Sequence, residues 1–428
     1  VSEPTPDAAT PVRDTPPTAA PPTAAPPTAA PALETPAPGA SRSRPAAPRI
    51  TARALRSVLR SPARTLRSVL RSPARTLRSV LWLAVATVAV AVPFYLEGFW
   101  LQAGLFAMSA AIGAIGINLL TGATGQLSLG HAFFLAVGAY SYVSLSTDLG
   151  LPTPLAAVAA VIVAGLCGGL FSPIAGRLKG AYLGIATLAL IFVGQHILFN
   201  AEPVTGGFNG RPVPPMELFG LVFADTPELV VLNVPFGSLE RLWFLGIALL
   251  VGAAVFARGV LRGRPGLAMN TIRDHEIAAG VMGVPVARYR AGVFVLSSMY
   301  GGLAGVLVAL VFQQVVPDYF GMLLSLDYLA MIVIGGLGSV AGAVAGAAFV
   351  SLLPQLLTRY SDALPLVAEP GSGGVSPAEA ARILYGAAVV AVVLFLPGGL
   401  AGLATRLGRV RLKELRWAKS APAPASRR

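Results

Sequence analysis

Charge is what this chain has little of. Of its 428 residues only 12% are Asp, Glu, Lys or Arg, where a soluble domain carries about a quarter. One cysteine, Cys167, lies in an apolar run, which excludes a disulfide framework and a cysteine metal site. A lone buried cysteine packs as a small hydrophobe, so it is given no role. Three histidines, His131, His196 and His275, sit without a second ligand at metal spacing. No GxxxxGK[ST] stretch occurs, so no phosphate-cradling loop is expected and any ATP must be bound by another chain. Gly336-Leu-Gly338-Ser-Val-Ala341 fits a dinucleotide fingerprint on paper, but it follows a long apolar run instead of a strand in a βαβ unit. No catalytic group, cofactor or metal is predicted.

What is present is apolar sequence, 55% of the chain at a mean hydropathy of +0.71. Runs at Leu81–Tyr95, Trp100–Leu120, Leu127–Leu145, Pro154–Ile174, Ala181–Phe199, Leu242–Ala257, Ala291–Val316, Leu323–Gly336, Val340–Leu357 and Ile383–Leu396 predict an all-α polytopic membrane protein. Several are shorter than the ~20 residues of a straight crossing. About ten crossings are expected, or eight to nine if Leu323–Leu357 is one broken helix.

Residues 1–54 are a Pro/Ala/Thr-rich tail with PPTAA three times over, too poor in bulky apolar residues to fold alone. Residues 55–80 carry an 11-residue basic repeat, LRSVLRSPART. It reads as an amphipathic arm on anionic lipid or as a coding duplication tolerated at a terminus. Arginine without interleaved aromatics gives no reason to expect nucleic acid. Residues 81–405 form the membrane domain, and 406–428 a basic tail. The N-terminal tail and arm, Arg177 with Lys179, residues 258–290 and the end from Arg406 together hold +21, leaving −8 elsewhere to give the overall +13. Basic loops stay inside, so both termini are expected in the cytoplasm and 200–241, with five acids, outside.

Residues 258–290, RGVLRGRPGLAMNTIRDHEIAAGVMGVPVARYR, contain six arginines that cannot lie at a bilayer centre. Pro265-Gly266 reads as a turn, and Leu267–Met282 as one short helix ended by Gly283 and Pro285. Its apolar face would be Ile272, Ile277, Ala278, Val281 and Met282, with Arg273, Asp274 and Glu276 towards solvent.

This stretch, with NLLTGATGQLSLGHAFFLAVGAY (118–140) and IGGLGSVAGAVAGAAF (334–349), resembles the LivM-type permeases of branched-chain amino-acid ABC importers, in which an RDxExAAxxMG pattern faces the ATPase. The resemblance implies a second permease subunit, two cytoplasmic ABC ATPases, an external solute-binding protein and a bacterial inner membrane. It implies hydrophobic amino acids as cargo; relatives carry urea, short amides or aromatic-derived acids. Arg273, Asp274, Glu276, Ile277 and Met282 would then meet the ATPase. An ion-coupled secondary transporter is the rival class. Such pumps commonly place carboxylates or paired ionisable groups mid-span, and the runs 100–145, 154–174 and 291–316 contain no Asp, Glu, Lys or Arg.

Two glycine-rich interruptions, Thr121–Gly130 and Gly335–Gly342, each precede a helix of small residues, the pattern of broken helices around a substrate path. Pathway candidates are therefore Asn118, Gln126, Ser128, His131, Gly335, Gly336 and Gly338. For the polar four, lining the path and bonding helix to helix stand as equal alternatives. Gln195 and His196 are read as helix-to-helix contacts, and Asp327 as interfacial at the outer membrane edge.

Overall fold

The computed structural model describes residues 87, 89–178, 180–218, 220–225, 229–231, 234–360, 377–396 and 398–403. The tail at 1–54, the repeat arm at 55–80, Lys179 and the basic end at 406–428 lie outside the described residues. All described residues belong to the unit running from Ala74 to Arg428.

The helices are α1 (Gly98–Ile117, continued by a π-helical turn, Asn118–Gly122), α2 (His131–Thr147), α3 (Thr153–Arg177), α4 (Ala181–Asn200) and α5 (Ser238–Arg262). Then come α6 (Arg264–Asp274), α7 (Glu276–Val281), α8 (Val286–Phe312), α9 (Met322–Gly335), α10 (Val340–Arg359) and α11 (Pro377–Phe395). Among the described residues six helices are long and apolar enough to cross a membrane: α1 with its π turn, α3, α4, α5, α8 and α10. The expected crossing at 127–145 is a 17-residue helix preceded by irregular chain, and that at 323–336 is 14 residues long. The alternative of one broken helix over 323–357 is not what forms. Antiparallel α9 and α10 pack so closely that a Cβ on Gly346 would lie 2.7 Å from the Gly335 nitrogen. The all-α reading holds for the bundle. Three antiparallel ladders are added: β1 (Arg211–Pro212) with β6 (Gln314–Val315), β2 (Glu217–Leu218) with β3 (Leu221–Val222), and β4 (Leu229–Val231) with β5 (Val234–Phe236).

Small residues decide which helix is central. Three glycines on α1 receive aromatic rings from three other helices: Gly104 faces Trp243 of α5, Gly113 faces Tyr328 of α9, and Gly116 faces Tyr300 of α8. Polar clasps reinforce the packing, with Ser109 Oγ donating to the Ala304 carbonyl at 2.9 Å and Tyr300 Oη to the Ala253 carbonyl at 2.7 Å. In lipid there is no hydrophobic gain from helix contact, so close backbone approach and such bonds carry the association. Helix α3 shows the resulting pattern, with Ala156, Ala160, Ala164 and Gly168 buried at four-residue spacing. Its exposed stripe is large and apolar: Leu155, Val158, Ile162, Leu166 and Leu170.

The bundle has two distinct ends. At one, Arg211 grips Asp148 at the end of α2 through two bonds of 2.8 and 2.5 Å and donates to the Val204 carbonyl at 3.0 Å. The β1–β6 ladder ties the same loop to the end of α8. This bond to Arg211 pulls the Asp148 carboxyl down to about 2, so the clasp stays charged at ordinary pH. Nearby, Asp225 Oδ1 accepts the Ser238 N–H at 2.7 Å and so serves the start of α5. Arg241 donates to the carbonyls of Phe236 and Val222. The 258–290 segment and the turn between α9 and α10 lie at the other end, with the π turn of α1.

Candidate functional site: a junction of interrupted helices

The π turn widens α1 by one residue, a local departure that recurs at functional sites. Its first residue, Asn118, is 1% exposed, and its Oδ1 accepts the Gly338 N–H at 2.8 Å. Its last residue, Gly122, offers a carbonyl that Arg273 Nη1 of α6 meets at 2.8 Å. Gly336 and Gly338 hold φ of +104° and +81°, which side chains with a Cβ rarely adopt. One compact junction therefore joins five expected positions: Asn118, Gly335, Gly336, Gly338 and Arg273. Four had been read as pathway residues and one as ATPase-facing.

Residues 125–130 then continue without regular structure, and most of them lie inside the protein. Gln126 and Ser128 are 3% and 2% exposed. Irregular backbone at membrane depth survives only when other groups satisfy it. Here Thr121 Oγ1 donates to the Gln126 carbonyl at 2.9 Å, and Thr187 Oγ1 of α4 accepts the Leu129 N–H at 2.9 Å. Ser325 Oγ of α9 accepts the Ala132 N–H at 2.9 Å. Ser128 Oγ accepts the Gly130 N–H at 3.3 Å. His131, 2% exposed, opens α2, and its ring stands edge-on to Tyr328 at 5.0 Å. Among the described residues the Gln126 amide, Asn118 Nδ2 and His131 Nε2 are buried without a partner. So Asn118 bonds across to the α9–α10 turn and Ser128 to the nearby Gly130 N–H, while the Gln126 side chain bonds to neither.

The 258–290 segment departs from its expected form in three ways. Pro265 and Gly266 are not a turn but lie in the first turn of α6, where proline's missing N–H costs nothing. The expected single helix over 267–282 is two, broken at His275 (φ −150°, ψ 89°). The break rotates the apolar face, so that Met269 and Ile272 turn inward while Ile277, Val281 and Met282 are 84%, 85% and 66% exposed. Arg273 and Asp274 are exposed as expected, but two of the three charges also bond into the bundle. Arg273 reaches Gly122, and Glu276 forms a two-armed pair with Arg290 of α8 at 2.9 and 3.0 Å. Asp274 does face outward, and its 3.1 Å contact with Arg273 is a surface pair of little energetic weight.

Asp327 bonds within the bundle. Its neighbour Tyr328 packs on Gly113, well inside α1, and its own Oδ1 accepts from Tyr385 Oη of α11 at 3.2 Å. His196 bonds within its own helix, its carbonyl accepting from Asn200 Nδ2 at 2.7 Å, and not to another. Sequence reasoning missed Thr187, Ser325, Arg290 and Tyr328. The available signal was a lone serine or threonine in each of two apolar helices and an arginine near a helix start.

Comparison with known proteins agrees with this architecture. A family model described as "Branched-chain amino acid transport system / permease component" matches residues 100–394. The chain is 30% identical over 291 residues to "High-affinity branched-chain amino acid transport system permease protein LivM" of Salmonella typhimurium, covering 65% of this chain and 68% of that one. The LivM protein of Escherichia coli matches to the same extent. "Probable branched-chain amino acid transport permease protein LivH" of Methanocaldococcus jannaschii is 24% identical over 323 residues, 72% of this chain and 92% of that one. With its membrane helices, its interrupted segments and a family match over most of its length, the chain belongs to the branched-chain amino-acid permease family of ABC transporters.

Proposed function

We propose that this permease forms half of the translocation pathway of an ATP-driven importer for branched-chain amino acids. A second permease subunit supplies the other half, two ABC ATPases dock on the 258–290 segment, and an external binding protein delivers cargo over residues 200–241. The setting is a bacterial inner membrane with both termini in the cytoplasm. The observation that carries this reading is the Arg273 bond to Gly122, beside Gly338. It links the segment offered to the ATPase directly to the interrupted helices.

Movement would enter at α7, whose exposed Ile277, Val281 and Met282 suit an apolar groove. It would leave by two rigid routes. The Glu276–Arg290 pair transmits to the first turn of α8, and Arg273 transmits to the π turn and the α9–α10 turn. Asn118 ties those last two together, so one displacement would reach both interruptions at once.

Two experiments test the proposal. In vesicles reconstituted with both permeases, the ATPases and the binding protein, labelled leucine should accumulate only when ATP and binding protein are both present. Uptake driven by an ion gradient without ATP would sink the reading. For orientation, a reporter active only in the cytoplasm should work when fused after Arg264 and stay silent after Asn209. Activity after Asn209 would reverse the faces assigned to the ATPase and the binding protein.

A further inference from the structure

A groove of about 410 Å³ opens beside the 258–290 segment, between the end of α5, α6 and the first turns of α8. Its walls are apolar, with Val260 from α5, Met269 from α6, and Val293 and Leu296 from α8. Arg288 and Tyr289 also line it, in the first turn of α8 just after its N-cap Pro285. Eleven residues separate Pro285 from Leu296, about 16 Å of helix rise. The groove therefore runs from the level where α8 enters the bilayer into the acyl region. A Cβ at Gly292 would meet nothing within 4 Å, so the wall stays open there.

We propose that this groove binds one anionic glycerophospholipid of the adjacent leaflet, its phosphate on Arg288 and an acyl chain along Val260, Val293 and Leu296. The chemistry matches end to end. A guanidinium pairs with phosphate oxygens through two parallel bonds, tyrosine favours the headgroup level, and the apolar walls suit a hydrocarbon chain. Exposed Arg262 and Arg264, close in sequence to the groove wall, add positive field that favours a headgroup of net negative charge over a zwitterionic one. The chain's own arginine-rich ends would bring like charge to Arg288 and are disfavoured as occupants. The inference rests on the membrane-spanning character of the family, not on the cargo or the energy source.

The test uses the assembled permease in phosphatidylcholine nanodiscs containing a trace of phosphatidylglycerol or phosphatidylcholine with a photoreactive acyl chain. Labelled peptides are mapped by mass spectrometry. Phosphatidylglycerol should label the 260–269 and 292–296 peptides at least about fivefold more than phosphatidylcholine, the discrimination expected of one arginine at an anionic surface. Arg288→Gln should lower the ratio at least about twofold, its combination with Arg262→Gln and Arg264→Gln should bring the ratio close to one, and Arg288→Lys should retain most of it. Gly292→Trp should fill the groove and abolish labelling by both lipids. Equal labelling by the two lipids, or a preference undiminished by Arg288→Gln, overturns the proposal. So does labelling seen in the isolated chain but lost on assembly, which would make the groove a contact between permease copies.

Discussion

Replacing Ile277 by aspartate is expected to cut binding-protein-stimulated ATP hydrolysis at least about tenfold, while the permease still folds and assembles. Ile277 is 84% exposed on a six-residue helix, so the new carboxylate touches no core. Surface changes of this kind usually move stability by less than ~0.5 kcal/mol. The helix is held from its other side, by buried Ala279 and by the Glu276–Arg290 pair, and those contacts remain. A buried anchor in a partner's groove, by contrast, costs ~2 kcal/mol or more when lost, and about 1.4 kcal/mol already makes tenfold. The measurement is stimulated ATPase and uptake in reconstituted vesicles, with a pull-down of the ATPase as the binding control. Wild-type coupling in the variant would mean that α7 is not the docking element. A charge swap of Arg273 and Glu276 is a poorer probe. It would remove the Gly122 contact and set a glutamate-turned-arginine against Arg290, so damage inside the chain would mimic loss of docking.

The second large effect is expected at the α9–α10 hairpin. Gly335→Leu should lower the yield of monodisperse permease from membranes more than about tenfold. The carbonyl carbon of Gly342 would lie 2.6 Å from the new Cβ, and the obstacle is backbone, which cannot rotate away. Overpacking costs typically 1–3 kcal/mol even where side chains can shift. Gly252→Leu on α5 is the matched control, since a Cβ there meets nothing within 4 Å; its yield should stay near wild type. Fluorescence-detected size exclusion of tagged variants reads both. A normal profile for Gly335→Leu would show that the two helices can separate without loss of the fold.

Much of this architecture was legible because polar or glycine-rich breaks stand out against apolar sequence. The starts and ends of α3, α4 and α10 fall close to the runs that predicted them, and the two interruptions are where TGATGQLSLG and GGLGSVAG placed them. What periodicity cannot supply is the neighbour. It set Arg273 and Glu276 on a solvent face, because nothing local shows that a carbonyl at Gly122 or a guanidinium at Arg290 waits for them. The break at His275 was missed for a related reason. Asp274 and Glu276 flank it without proline or glycine, and the residue adopts extended dihedrals because the tertiary contacts on either side demand different faces. The ladders β1–β6 and β2–β3 involve two residues per strand, too short for alternation to register. Asp327 was read as lying at an outer edge, and the Tyr385 hydroxyl that donates to its carboxylate is 58 residues away.

The irregular stretch at 125–130 also sets an order of events during synthesis. The Ala132 N–H has its acceptor on Ser325, 193 residues further along the chain. At about 5–20 residues per second the ribosome needs roughly 10–40 s to cover that distance. Through that interval the start of α2 must rest in water, among lipid headgroups or against an insertion factor. The first third of the bundle is therefore inserted long before it can close, and its completion waits on the last third.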